Sequence, residues 1–318
     1  MQSEHNMGTR SRVGRLGSVR RILAGGAFAA IASGVAATPL AAAPFRAPPI
    51  IAPASAERHP GKPDFAELIT PDLATAKKFY AGLFGWNFTD VAGGRVPYAE
   101  AYLDGVPVAG LVEKTMAAGE HGQPAWLNFF AAADVDAAAK AALQNGGKVL
   151  VAPHDVADRG REAILTDADG AVFAVLASSS GDPADVLAAP GEWIWRSLIT
   201  TDPVGDSNFY KDVFGYGVVP LADSPGEQHL LLASENFARA SVNSMPPGHP
   251  NMHPHWLAYV RCEDVTKAVA KVTALGGRIL VEPRVDRHGG LIAVVADPLG
   301  APFGLMEWSE SQSNQVTK

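Results

Sequence analysis

The chain repeats itself. Residues 67–86, ELITPDLATAKKFYAGLFGW, match residues 197–216, SLITTDPVGDSNFYKDVFGY, through Leu68/Leu198, Ile69/Ile199, Thr70/Thr200, Asp72/Asp202, Phe79/Phe209, Tyr80/Tyr210, Phe84/Phe214 and Gly85/Gly215, all 130 residues apart. Trp126/Trp256, Asp134/Asp264, Gly146/Gly276, Pro153/Pro283, Asp167/Asp297, Gly170/Gly300 and Phe173/Phe303 keep the same offset without a gap. A period of this length held over so many positions means two copies of one structural unit, and any fold assigned to the chain must be a fold that can be built twice.

Within a copy the apolar spacing alternates between strand and helix. Phe65–Ile69 is a short apolar run ending at Thr-Pro-Asp, where Thr70 or Asp72 can cap a helix whose apolar face carries Phe79, Tyr80 and Leu83. Gly85 stops that helix. Three β-like runs follow, Trp86–Val91, Tyr98–Leu103 and Val106–Val112, with LDGVP as a tight turn between the last two. Trp126–Phe130 then leads into an Ala-rich helix, Val135–Gln144, closed by NGG, and strands at Lys148–Val151, Glu162–Thr166 and Val172–Leu176 complete the copy. The order is βαβββ twice per copy. The expected fold class is therefore α+β, built from four βαβββ modules.

Composition narrows the function classes. Of 318 residues, 47% are hydrophobic, ample for two packed cores, and the net charge of −7 offers no cationic surface for nucleic acid. The single cysteine, Cys262, has no partner for an internal disulfide and reads as a strand-end residue. Arg10, Arg12, Arg15, Arg20 and Arg21 precede the small, weakly apolar run Ile22–Ala37, which is the pattern of an export signal; SVRRIL (residues 18–23) resembles a twin-arginine signal. That run is too short and too rich in Ala and Gly for a permanent membrane anchor. Cleavage is expected near Ala41–Ala43 or after the ASA ending at Ala56, with a mature, exported protein as the result. The expected organisation is an export signal over 1–43, a Pro-rich, extended and poorly ordered lead-in over 44–62, one domain over 63–178, a linker over 179–190, a second domain over 191–309 and a tail over 310–318.

ELITPDLATAKKFYAGLFGW, with GGKVLVAP paired to DADGAVFAVL, resembles the vicinal oxygen chelate superfamily of glyoxalases, bleomycin-resistance proteins and dioxygenases, and the second copy repeats the signature as LITTD, NFYKDVFGY, GGRILVEP and DPLGAPFGLM. The resemblance implies that the four βαβββ modules pair into two eight-stranded, cup-shaped domains, two modules per cup. It also implies a divalent metal held by His or Glu on the first strand of each module and by Glu near the last strands, acting as a Lewis acid on a chelating substrate.

At those positions the sequence is poor in ligands. Glu67 stands at the ligand-like place on the first strand, while Asn128, expected to share its face with Trp126 and Phe130, stands where the family often has His, and Ala174 replaces the final-strand Glu. In the second copy the corresponding residues are Ser197, Ala258 and Gly304, and a one-residue change of register would bring in His255. The only His cluster is His249, His253 and His255, interrupted by Pro250 and Pro254. Metal binding is thus not expected, a divalent metal remaining the alternative.

The expected site is a pocket for a small, partly apolar molecule lined by Glu67, Tyr98, Tyr102, Trp126, Asn128, Trp195, Ser197, His255 and Trp256, with Glu67 the candidate proton-transfer group. A lyase, isomerase or dioxygenase using a non-standard metal set is the alternative function, and a purely structural module is a third. The sequence leaves the oligomeric state and the number of working cups open.

Overall fold

The computed structural model describes residues 45–114, 123–221, 228–248, 252–287 and 289–308. The segment expected to be an export signal, His249 and the expected C-terminal tail lie outside the described residues.

The first copy runs β1 (Pro63–Thr70), α1 (Leu73–Phe84), β2 (Asn87–Val91), β3 (Tyr98–Leu103), β4 (Val106–Glu113), then β5 (Ala125–Ala131), α2 (Val135–Gln144), β6 (Lys148–Val156), β7 (Gly160–Thr166) and β8 (Val172–Ser178). The second runs β9 (Trp193–Thr200), α3 (Pro203–Phe214), β10 (Gly217–Pro220), β11 (His229–Ser234), β12 (Phe237–Ser244), then β13 (His255–Cys262), α4 (Val265–Ala274), β14 (Arg278–Val285), β15 (Leu291–Ala296) and β16 (Pro302–Glu307). Each copy forms one eight-stranded sheet, ordered β2-β3-β4-β1-β5-β8-β7-β6 and β10-β11-β12-β9-β13-β16-β15-β14. The expected modules are therefore present. They join edge to edge through the antiparallel pairs β1·β5 and β9·β13.

Local chemistry sets the helix ends. Asp72, not Thr70, caps α1 by accepting from the Thr75 amide, and Gly85 ends it at φ 79°, a conformation that costs glycine little. Asp202 and Gly215 do the same for α3. Glu113 accepts from the Leu73 amide and Glu307 from the Val265 amide, so the glutamate closing the last strand of the first and fourth modules ties its own helix to the sheet.

The two sheets meet through their helices. Leu73, Phe79, Tyr80 and Leu83 of α1 pack with Val265, Val269 and Val272 of α4 and with Phe303 and Leu305 of β16. The reciprocal core joins Val135, Ala138, Ala139 and Ala142 of α2 to Phe209 and Tyr210 of α3 and to Leu198 of β9. The helix-covered faces thus bury one another, and the opposite face of each sheet is a separate cup directed outward.

The lead-in before β1 forms no helix or strand over residues 45–62, and it is packed rather than loose. Ala47 and Ile50 are buried, and Ile50 sits in the first cup against Phe65, Phe129, Ile164, Ala174 and Leu176.

Candidate functional site

Strand register decides which side chains enter each cup. In the first domain Glu67 pairs with Gly110 on β4 and with Leu127 on β5, while Leu68 pairs with Trp126 and Ala66 with Asn128. Since side chains alternate, Phe65, Glu67, Leu127 and Phe129 face the cup, and Trp126, Asn128 and Phe130 face the helices. This corrects the expectation for three residues. Trp126 donates its indole N–H to the Tyr80 hydroxyl in the helix-side core at 3.0 Å, its counterpart Trp256 does so to Tyr210 at 2.7 Å, and Asn128 is fully buried on the same side. The same register places His255 on the cup side with Leu257 and Tyr259.

The first cup holds a buried ionic corner. Arg159, at the turn between β6 and β7, directs Nη2 to Glu100 Oε2 at 2.9 Å and to the Tyr98 hydroxyl at 3.0 Å, and its Nη1 lies 3.8 Å from Glu67 Oε1. Tyr98 Oη is within donating distance of Glu67 Oε1 (3.1 Å) and Glu100 Oε2 (2.9 Å). The guanidinium also lies 4.3 Å from the centre of the Phe65 ring. On the opposite wall Glu162 stands 3.6 Å from His154 Nε2.

Burial raises the Glu100 carboxyl to about 7, against the pull of Arg159 and Tyr98. Burial and repulsion from Glu67 raise Glu162 to about 8. Glu67 moves in the same direction for the same first reason, with Arg159 opposing. Burial works against the charge of Arg159, but Tyr98, Glu100 and Glu67 around it outweigh that effect and raise its pKa. The corner thus holds a fixed cation beside carboxyls able to gain or lose a proton near neutrality, as proton-transfer groups must. Tyr102 lies further along the same strand, partly exposed.

The floor of the second cup carries hydroxyls where the first has carboxyls, with Arg284 and Asp286 acting on Tyr259 from beyond it. Ser197 and Ser241 hydroxyls are 2.8 Å apart on its floor, and the Trp195 indole N–H and the Asn243 amide both donate to Ser241 at 3.0 and 3.1 Å. Around them stand Leu257, Tyr259, Ile292 and Met306, with Ile194, Val294 and Trp308. Trp195 and Trp308 lie with ring centres 6.4 Å apart and planes within 15° of parallel. Burial pushes the Tyr259 hydroxyl up to about 12, a bond to Ser197 opposing the change.

The two cups differ by substitution at matched places. Where the first has Glu67, Glu100, Arg159 and Glu162, the second has Ser197, Leu231, Gly289 and Ile292. Comparing the copies position by position would have exposed Arg159, Glu100 and Glu162 from the sequence; inspection of the expected ligand positions alone passed them over.

At the ligand-like positions the described residues of both cups are poor in donors for a divalent cation. At the level of Glu67 the neighbouring strands supply Gly110, Leu127 and, one pair further, Ala174; in the second domain Ser197 meets Ser241 and Leu257, with Gly304 beside Tyr259. Glu67, Glu100 and Glu162 all reach the first cup, but Arg159 engages the first two and Glu162 lies beside His154, and the second cup offers neutral hydroxyls; among the described residues neither cup gathers the three or more close N and O donors such an ion needs. Among the described residues, His59, Asp185 and Glu235 do bring ligand atoms within 4.8 Å of one another. That group lies at the seam of the lead-in, the interdomain linker and the β11–β12 turn, where Lys62 and Arg239 already neutralise Asp185 at 2.8 and 2.9 Å.

Residues 62–175 match the Glyoxalase/Bleomycin resistance protein/Dioxygenase superfamily, and residues 193–306 match a glyoxalase-like domain. The "Putative glyoxylase CFP32" of Mycobacterium tuberculosis is 32% identical over 263 residues, covering 82% of this chain and all of the relative. The chain belongs to this superfamily. The "Anthracycline biosynthesis protein DnrV" of Streptomyces peucetius, 31% identical over 271 residues, covers 79% of this chain and is itself covered to 94%. Superfamily members of known structure share the fold. A Mn(II)-bound glyoxalase from Novosphingobium aromaticivorans aligns with a TM-score of 0.56 at 18% identity, over 78% of this chain and 82% of its own. The 2,2',3-trihydroxybiphenyl 1,2-dioxygenase of Sphingomonas wittichii strain RW1 aligns at 0.55 and 16%, over 79% and 91%.

Proposed function

We propose that this protein binds a small, partly apolar, planar molecule in the cup of its second domain, without a metal. The observation that carries the reading is the near-parallel pair Trp195 and Trp308 beside a floor of paired Ser197 and Ser241 hydroxyls. Aromatic faces favour a flat ring, and the hydroxyls select for oxygen substituents on it. The name of DnrV, which refers to anthracyclines, points to the same kind of chemistry: flat, oxygenated aromatic molecules. Titration of tryptophan fluorescence with a hydroxylated anthraquinone tests the reading. Saturable quenching that survives chelator treatment and is lost in Trp195→Ala is expected. Stoichiometric Mn, Fe, Ni or Zn whose removal abolishes binding would overturn it.

A metal-dependent lyase, isomerase or dioxygenase is the second reading, favoured by the likeness to a Mn(II)-bound glyoxalase and by the His59, Asp185 and Glu235 group. It would require metal bound at that seam, and loss of the metal in Glu235→Ala is its test. Export before function is part of the proposal, supported by the arginine-rich stretch ahead of Ile22–Ala37. The mature N-terminus is expected between about Ala42 and Glu57, and a secreted product whose intact mass still includes Arg20 would refute that cleavage.

A further inference from the structure

We infer that the cup of the first domain is a second ligand site, filled in this chain by its own segment Phe45–Ile51, which stands in for an apolar ligand bearing a carbonyl group. The segment makes the contacts such a ligand would make. Phe45 sets its ring edge to face against Tyr98, centres 5.4 Å apart. The Pro48 carbonyl accepts from Arg159 Nε at 2.6 Å. Ile50 fills the apolar floor between Phe65, Phe129, Ile164 and Leu176.

Three observations mark the segment as an occupant rather than a wall. The sheet is complete without it, all eight strands being paired among themselves, and the segment adds no strand to either edge. Outside the cup its attachments among the described residues are few: the Arg46–Asp158 ion pair with both side chains about half exposed and a 3.4 Å bond from the Ile51 amide to Ser180 Oγ, followed beyond the segment by the Ser55 amide to the Ser180 carbonyl. Among the described residues, the apolar core of the second cup, on the same fold, is made of that domain's own side chains, with no segment from before β1 in it.

A fourth observation points to a ligand richer than the segment. Glu100 is fully buried, and its Oε1 has no hydrogen-bond partner although Oε2 is bound by Arg159 and Tyr98. An unmet buried acceptor is costly. A ligand donor next to the carbonyl that replaces Pro48 would satisfy it, so the class is an apolar molecule carrying a carbonyl and a neighbouring N–H or O–H. Secondary amides and hydroxy ketones have that pattern.

The position of the segment in the chain gives the inference a consequence. The two cleavage points read from the sequence, after Ala43 and after Ala56, flank it. A chain starting at Pro44 keeps the cup filled, and a chain starting at Glu57 opens it.

The test uses full-length protein and a labelled synthetic peptide of residues 45–54. In one variant Phe45→Ala and Ile50→Asp eject the segment; in a second, residues 45–54 are replaced by Gly and Ser at equal length. A tethered segment competes at an effective concentration near millimolar. The peptide is therefore expected to bind either variant saturably, at least about 100-fold more tightly than it binds the unaltered chain. A peptide carrying Ile50→Asp is expected not to bind. Folded variants, shown by circular dichroism, that fail to bind the peptide would overturn the inference. So would loss of the cooperative thermal transition in both variants, because the segment would then be part of the domain core.

Discussion

The Tyr210 hydroxyl on α3 of the second domain donates to Asp167 Oδ2 of the first at 2.9 Å, and Tyr80 on α1 makes the reciprocal bond to Asp297 at 3.3 Å. Each tyrosine also accepts an indole N–H from its own domain, Trp256 to Tyr210 and Trp126 to Tyr80. Each aspartate in turn accepts backbone amides of its own turn, Gly170 and Ala171 for Asp167 and Leu299, Gly300 and Ala301 for Asp297. Two matched buried triads therefore join the domains.

Tyr210→Phe leaves a carboxylate oxygen and an indole N–H unpaired in the core. A loss of about 2–3 kcal/mol is expected. Because the triads span both domains, denaturant unfolding followed by tryptophan fluorescence and by circular dichroism should still give one coincident transition. Separate transitions would show that the domains are not coupled through this seam.

The raised carboxyls give stability a pH dependence of defined sign. Glu100 holds its proton to about 7 in the folded state, whereas an unfolded glutamate releases it near 4.5. Between those values the folded state binds more protons, so this contribution is fully present below about 4.5 and is lost as pH rises through about 7. At about 1.4 kcal/mol per unit the loss is up to about 3 kcal/mol. Glu162, raised to about 8, extends the same decline upward. Thermal midpoints measured from pH 5 to 9 should fall less steeply in Glu100→Gln than in the unaltered protein; an identical slope would remove Glu100 from the account.

Two tryptophans are expected to behave oppositely. Trp126 is 5% exposed in the helix-side core, and Trp126→Ala should cost about 3–5 kcal/mol. Trp195 is only partly buried at the second cup, and Trp195→Ala should leave the thermal midpoint within a few degrees while weakening anthraquinone binding at least tenfold. Chemical denaturation and fluorescence titration of the two variants read the contrast directly.

Gly304 marks the place where the family would carry a metal ligand on the last strand. A Cβ there would meet the Tyr259 ring at 2.0 Å, so the tyrosine takes the space a longer side chain would need. Gly304→Ala is expected to push Tyr259 out of the second cup, costing about 1–3 kcal/mol and weakening ligand binding there. Peptide binding to the first cup of the segment-ejected protein should be unchanged by the same substitution.

The boundaries of β1, α1, α2 and most strands follow from nearby chemistry, and for that reason they are legible in the order of residues. Asp72 and Gly85 act within one turn of the residues they cap, and the β3–β4 turn needs only Asp104 and Gly105, both at positive φ. The assignment of β5 side chains to faces is not legible in the same way. AWLNFFA is buried at nearly every position, because the cup covers one side and the helices the other, so the strand shows no polar and apolar alternation to read. Only pairing with β1 could place Leu127 and Phe129 in the cup and send Trp126 and Asn128 to the helices, since a slip of one residue exchanges the two faces.

By itself, then, the sequence determined the repeat and the four modules, both of which depend on residue identity and short spacing. Tertiary structure alone decided which residues meet. Arg159 comes to Glu100, 59 positions away, because β6 and β7 extend to a turn at the rim of the cup, and Pro48 reaches Arg159 across 111 positions. Contacts between such distant residues are set by how the sheet curves and where its edges fall, and no local pattern in the chain encodes them.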